Sequence, residues 1–309
     1  MKKLQSAILG AICFIVLSVP VAAADTLPCE ADVFAHESIN QAYVSRVERA
    51  YIAACEFFGG LDAPLEIWIS ARDRSHQQEL TVQWCERRKL LEGRFNQCRR
   101  SQIGGSNYNS WQNLKHPYHH INLEKFSDSR RDPSAEYVAI HEYFHAWQAT
   151  QIGQMETPEY IMGLKLGKLR DGSRPWFSEG GATYLSHYVW SLETQASRNH
   201  LRDEMERYFD RSRHAFNDLY DGTLSIKELR YGEWNEGGED AYNISTWAIA
   251  YLIDLVGLET FIAMHGDLRD KTFEQAFSDH FGMTSDEFDQ LFSAFVSSPE
   301  WANRSSILL

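Results

Sequence analysis

The run from Ser134 to Gln151 contains neither glycine nor proline, and its apolar residues fall at helical spacing on two sides. One stripe is Val138, His141, Glu142, His145 and Ala149, and another is Tyr137, Ile140, Phe144, Trp147 and Gln148. A helix that is apolar on both sides is buried. This one carries two histidines and a glutamate inside with it, which is costly unless they are paired or bound to a metal. Any fold for the chain must enclose this helix and give those three side chains partners. His141 and His145 stand one turn apart on one face, so their imidazoles can take adjacent corners of a Zn²⁺ tetrahedron. The pentapeptide His141-Glu142-Tyr143-Phe144-His145 fits H-E-x-x-H, whose glutamate can take a proton from metal-activated water. Asp132 can cap the helix, and Pro133 suits its first turn. In a chain with 12 histidines the pentapeptide arises by chance in roughly a few per cent of cases. The burial of the helix and a third ligand must therefore carry the inference.

Catalytic zinc takes three protein ligands and leaves one position open. Glu179, in Trp176-Phe-Ser-Glu-Gly-Gly-Ala-Thr-Tyr184, is the candidate third. Helical apolar spacing runs from Pro175 to about Gln195 through Trp176, Phe177, Ala182, Leu185, Tyr188 and Val189. Gly180 and Gly181 disfavour a helix by about 1 kcal/mol each relative to alanine. They make sense where another backbone passes close by, as packing on the His141–His145 helix would require. The competing account of Glu179 is a first-turn acid that favours the helix dipole.

The first 24 residues have the pattern of an export signal. Lys2 and Lys3 precede an uncharged apolar run from Ala7 to Val19, and Pro20 and Ala22-Ala23-Ala24 form a small-residue cleavage site. A retained membrane anchor is the alternative, because the apolar stretch reaches Ala24. Cleavage leaves residues 25–309 as the mature chain, exported to a periplasm or the medium, with no stable membrane anchor. Cys29, Cys55, Cys85 and Cys98 remain. An oxidising compartment permits two disulfides. Cys29–Cys55 and Cys85–Cys98 are the favoured pairs because both close short local loops. A four-cysteine zinc site is the rival, and the chain has no C-x-x-C pair to support it. The formal net charge of −13 gives no electrostatic attraction to nucleic acid or anionic lipid.

Helical spacing covers about residues 33 to 58, from Val33 through Ile39, Tyr43, Val47, Ala50, Tyr51 and Ala54, and Gly59-Gly60 ends it. Pro64 to Ser70 alternates as a strand, and His119 to Leu123 is a second candidate. Residues 78–115 suggest helix plus loop. Beyond residue 131 the pattern is helical, with loops at 171–173 and 232–240. Strands followed by helices predict an α+β fold in one domain, with a small N-terminal lobe (about 25–130) and a helical part (about 131–309). His116, His119 and His120 are expected in a partly exposed loop. His187 lies about 12 Å along the helix from Glu179, too far to share its metal. A thick aromatic core accounts for the tryptophans as well as a substrate groove does.

HEYFHAWQ followed by PWFSEGGATYLS resembles the gluzincin metallopeptidases, in particular the peptidase MA-like family, which pairs H-E-x-x-H with a later W-x-x-E-G-x-A-x-Y helix. Ala241 to Leu252, Val256-Gly257, Phe273 to Phe277 and Phe281-Gly282 are similar to the C-terminal helices of that group, so the resemblance spans about residues 134–296. It implies a zincin-like fold, one Zn²⁺ held by His141, His145 and Glu179, Glu142 as general base, and a peptide or protein substrate. It also implies that the Tyr242 hydroxyl stands near the developing oxyanion. A core tyrosine is the other account of Tyr242. Glu239 or Asp240 is a candidate acceptor for a ligand-histidine N–H. The Gly-x-Met-Glu-Asn signature of related aminopeptidases is absent, which favours an endopeptidase. Two rivals stay open: a non-catalytic, zinc-stabilised envelope binding protein, and a zinc hydrolase of a non-peptide amide.

Overall fold

The computed structural model describes residues 27–96, 98, 103–126, 134–153, 176–194, 198–229 and 238–309. The expected export signal, Asp132, Pro133, Pro175 and the expected loop at 171–173 lie outside the described residues.

A four-stranded mixed sheet near the N-terminus is followed by a mainly helical region, an α+β fold. The strands are β1 (Ala31–Ala35), β2 (Leu65–Ser70), β3 (Asn107–Trp111) and β4 (Tyr118–Glu124), in the order β1-β2-β4-β3. β1 and β4 both run parallel to β2, with Val33 opposite Ile67 and Ile67 opposite Ile121. β3 pairs antiparallel with β4 and places Tyr108 opposite Ile121. Parallel neighbours need crossover connections, and these are α1 (Gln41–Phe58) and α2 (Arg74–Glu92).

The helices cover the two faces of the sheet, so the central strands are buried on both. Leu65, Ile67, Ile69, Ile121 and Leu123 join the main core with α1 and α3 (Ser134–Ile152). Trp68 and Tyr118 face a second core with Leu80, Trp84 and Cys85 of α2. Glu66 is buried on that second side, where it accepts from Trp68 Nε1 (3.1 Å) and Arg87 Nε (2.7 Å) and pairs with buried Arg88. The polar positions of β2 thus face charged and aromatic partners under α2.

Two elements differ from the sequence expectation. Residues 31–35 are strand, and the helix begins only at Gln41. Asn40 fixes that start, its Oδ1 accepting from the Ala42 amide at 2.8 Å. The gap from Val33 to Ile39 turns about 240° round a helix, so Val33 never shared the helical face. Gly59, at φ 99°, ends α1 as expected. β3 is the other departure, a polar edge strand inside a stretch expected to be helix and loop. His119 and His120 are also not in an exposed loop. Both are fully buried within β4. His119 Nε2 meets Asp62 Oδ1 at 2.7 Å and its Nδ1 meets the Tyr108 hydroxyl at 2.7 Å. His120 stacks on Trp84.

Both expected disulfides are present, Cys29–Cys55 and Cys85–Cys98, with Cα–Cα distances of 5.6 and 5.7 Å. The four-cysteine zinc site is thereby excluded.

The helical region continues with α4 (Trp176–Thr194), α5 (Arg198–Arg211), α6 (Arg213–Tyr220) and α7 (Gly238–Val256). It closes with α8 (Leu258–Asp267), α9 (Phe273–Phe281) and α10 (Ser285–Val296). Residues 238–240, expected in a loop, form the first turn of α7. Capping boxes at Thr272 and Thr284 start α9 and α10. α7 and α8 meet at 102° about Gly257. Among the described residues no single helix is long and apolar enough to cross a membrane. Trp147, Trp176 and Trp247 are buried in the main core, in keeping with the expected aromatic interior.

Candidate metal centre

Helix α3 brings His141 and His145 to one side, and α4 lies against it with Glu179 in its first turn. The packing that holds α4 here depends on its two glycines. A Cβ at Gly180 would stand 2.5 Å from the Ser245 carbonyl oxygen of α7. A Cβ at Gly181 would stand 3.2 Å from Phe144 of α3 and 3.3 Å from Phe261 of α8. The close-passing backbone expected from the sequence is therefore that of α7, while the α3 side is met by an aromatic ring.

Three atoms converge. His141 Nε2 and His145 Nε2 are 3.1 Å apart, and Glu179 Oε2 is 3.2 Å from each. Ligand atoms held about 2.0–2.1 Å from one tetrahedral Zn²⁺ must stand about 3.3 Å from one another. The observed triangle has nearly that edge. Two imidazoles and one carboxylate are also a zinc donor set, with three protein ligands and one position left over. The residues present thus fit the ion. Among the described residues this is the only such group of histidine, cysteine and acidic side chains.

Each ligand imidazole has a partner at its other nitrogen. His145 Nδ1 lies 3.0 Å from Gln148 Oε1, and His141 Nδ1 lies 3.4 Å from the Thr183 hydroxyl. Thr183 stands one turn beyond Glu179, so α4 supplies both a candidate ligand and a support for a second. Gln148 is fully buried, and its amide nitrogen lies 3.3 Å from His265 Nε2 on α8. The sequence offered Glu239 or Asp240 as a candidate acceptor here. Asp240 pairs with His214 of α6, at 3.0 Å.

Glu142 is on α3 with its two histidine neighbours and is buried. Tyr242 is half-buried on α7, one turn before Ser245, whose carbonyl abuts position 180. His187 is outside the metal group, as its spacing predicts. Its Nε2 meets the Tyr208 hydroxyl at 2.6 Å and its Nδ1 meets His200 Nε2 at 3.2 Å. Burial, with His200 beside it, holds the His187 imidazole well below the usual histidine range.

Sequence reasoning did not single out Gln148, Thr183 or His265. A signal existed for Gln148, a polar residue in an apolar stripe three residues after His145. Thr183 was visible as the residue one turn past Glu179. His265 has no local pattern that ties it to the motif.

Comparison with known protein families, with curated proteins and with solved structures finds no match to this chain.

Proposed function

We propose that this chain is an exported, zinc-dependent hydrolase of peptide bonds that acts as an endopeptidase on peptide or protein substrates. The observation that carries the proposal is the triangle of His141 Nε2, His145 Nε2 and Glu179 Oε2, with edges of 3.1–3.2 Å. It is supported by Glu142 next to the first histidine, since a purely structural zinc site needs no such carboxylate. The two disulfides are in keeping with an oxidising compartment.

His141, His145 and Glu179 would hold the ion, which when bound supplies Lewis acidity and lowers the pKa of water. The rest of the chemistry falls to side chains. Helical geometry sets Glu142 about 100° round the axis from His141 and about 60° from His145, within reach of the same site. Its carboxylate takes a proton from the water that attacks the peptide carbonyl carbon. It then returns that proton to the departing amine nitrogen as the C–N bond breaks. In this proposal the Tyr242 hydroxyl donates to the carbonyl oxygen as negative charge gathers there. The low-dielectric surroundings of the buried α3 strengthen each of these interactions.

The deciding experiment is zinc content by elemental mass spectrometry, for the wild type and Glu179→Ala, beside cleavage of an unfolded protein with and without a chelator. The expected result is one zinc per chain, much weakened in the variant, and chelator-sensitive cleavage. Glu142→Ala should keep its zinc and lose about 10²–10⁴-fold in kcat. A wild type that takes up no zinc after reconstitution would overturn the proposal. Zinc binding without hydrolysis would leave a metal-stabilised binding protein.

A further inference from the structure

The Nδ1 side of His145 is constrained by its hydrogen-bond partners, and the constraint begins far from the metal group. His265 Nδ1 lies 3.0 Å from the backbone carbonyl of Phe261. A carbonyl can only accept, so Nδ1 must carry the proton. The imidazole is enclosed by Phe144, Trp147, Phe177 and Phe261, with ring centroids 5.1–5.6 Å away. Burial in this aromatic box pulls its pKa down to about 4, so the ring is neutral near pH 7. A neutral ring with its proton on Nδ1 has a bare lone pair on Nε2. The Gln148 group facing Nε2 must then be the NH₂ donor, at 3.3 Å. The Gln148 amide is thereby oriented, and its oxygen faces His145 Nδ1 at 3.0 Å. That oxygen can only accept, so His145 must carry its proton on Nδ1. His145 Nε2, the atom in the metal group, is left with its lone pair.

We propose that Gln148 and His265 are positioning residues, forming a buried column from the Phe261 carbonyl of α8 to His145 that fixes the metal-binding tautomer of His145. In the zinc-free protein the column opposes the Glu179 carboxylate, 3.2 Å from His145 Nε2, which would otherwise draw the ring proton to that atom, so the lone pair is in place before the ion arrives. If the Gln148 amide turned over, its NH₂ would face Nδ1. The proton of His145 would then move to Nε2 and point into the site. His265 prevents that turn because its Nε2 accepts and cannot donate. Gln148 and His265 are both fully buried, so no water replaces a lost partner of either and a missing bond is felt in full. The role in zinc binding rests on the function proposed above. The tautomer assignment does not.

Two readouts test the column. The first is the ¹⁵N imidazole spectrum of the zinc-free wild type, which distinguishes Nδ1–H from Nε2–H tautomers. Both His265 and His145 are expected as Nδ1–H, and in His265→Phe the preference of His145 should weaken. The second is zinc affinity by chelator competition. Gln148→Leu removes the acceptor and should bind zinc about 10–100-fold more weakly. Gln148→Glu keeps an acceptor oxygen and should recover most of that loss. A side chain that only fills space would change the urea midpoint of the zinc-free protein and leave zinc affinity alone. An Nε2–H tautomer at His145 in the wild type would overturn the proposal, as would unchanged affinity in a folded Gln148→Leu. If Gln148→Leu does not fold, the wild-type spectrum and Gln148→Glu decide. If the wild type binds no zinc, the proposed function fails and the spectrum alone judges the column.

Discussion

A side chain at position 180 has nowhere to go. Its Cβ would stand 2.5 Å from a backbone carbonyl oxygen of α7, and a main chain cannot swing aside as a side chain can. Gly180→Ala is expected to destabilise the protein by about 1–3 kcal/mol, the usual cost of overpacking, and to weaken zinc by displacing Glu179. A urea midpoint together with a zinc titration checks both, and an unchanged midpoint would mean that α4 and α7 are less tightly fitted. A second residue-scale prediction concerns His120. Burial, with Arg88 nearby, pulls its pKa from 6.5 to about 3. The unfolded chain therefore binds the extra proton first as pH falls below about 6.5, and the native state loses up to about 1.4 kcal/mol per pH unit from this group. The loss ends once pH passes the folded value. Burial and the charge of Arg207 lower His200 to about 4, which acts with the same sign. Stability measured between about pH 5 and 6.5, above the ordinary carboxylate range, should fall with acid, and more gently in His120→Phe. The three residues of the candidate metal group were legible in the sequence because the i, i+4 spacing of the histidines and the start of a helix are local features. Gln148 was half legible. His265 was not, because only the tertiary fold brings α8 against α3.

The same division between local and distant holds for the secondary-structure elements. The helices from Ser134 and Trp176 have strong periodicity and sit where the spacing predicts. β2 and β4 were visible as short apolar stretches. β1 was hidden in the leading edge of a helical pattern, and β3 has almost no apolar signal because its place is the edge of the sheet. Strand identity in both depends on a neighbour, and a neighbour is not written in the local sequence. The disulfide Cys29–Cys55 spans 26 residues and ties the approach to β1 onto the end of α1. Replacing both cysteines by serine is expected to cost about 3 kcal/mol, the loop-closure entropy for a span of that size. Zinc affinity should not change, because both cysteines lie outside the group of His141, His145 and Glu179. A coupled loss of zinc would mean that the sheet end also sets the geometry of the ligands.

Across the whole molecule, the metal group joins segments that are far apart in the chain. α3 and α4 supply the three candidate ligand atoms, α8 contacts one of the supporting side chains, Gln148, and α7 backs the turn that bears Glu179. An ion that binds only this assembled arrangement stabilises it by mass action, by about 2.7 kcal/mol at a hundredfold excess over Kd. Adding a chelator to the wild type should therefore lower Tm, while His145→Ala should melt at one temperature with or without it. Equal melting of the wild type in both conditions would mean that the ion contributes nothing to the native fold. The contact between Gly180 and Ser245 also bears on how this lineage can be traced. Surface positions drift freely and apolar positions exchange among themselves, but a residue whose only virtue is its missing side chain has no substitute. If both proposals hold, a distant descendant that keeps the site is expected to keep three features: a glycine directly after the acidic candidate ligand, a glutamine three residues past the second histidine, and a histidine far downstream that faces that glutamine.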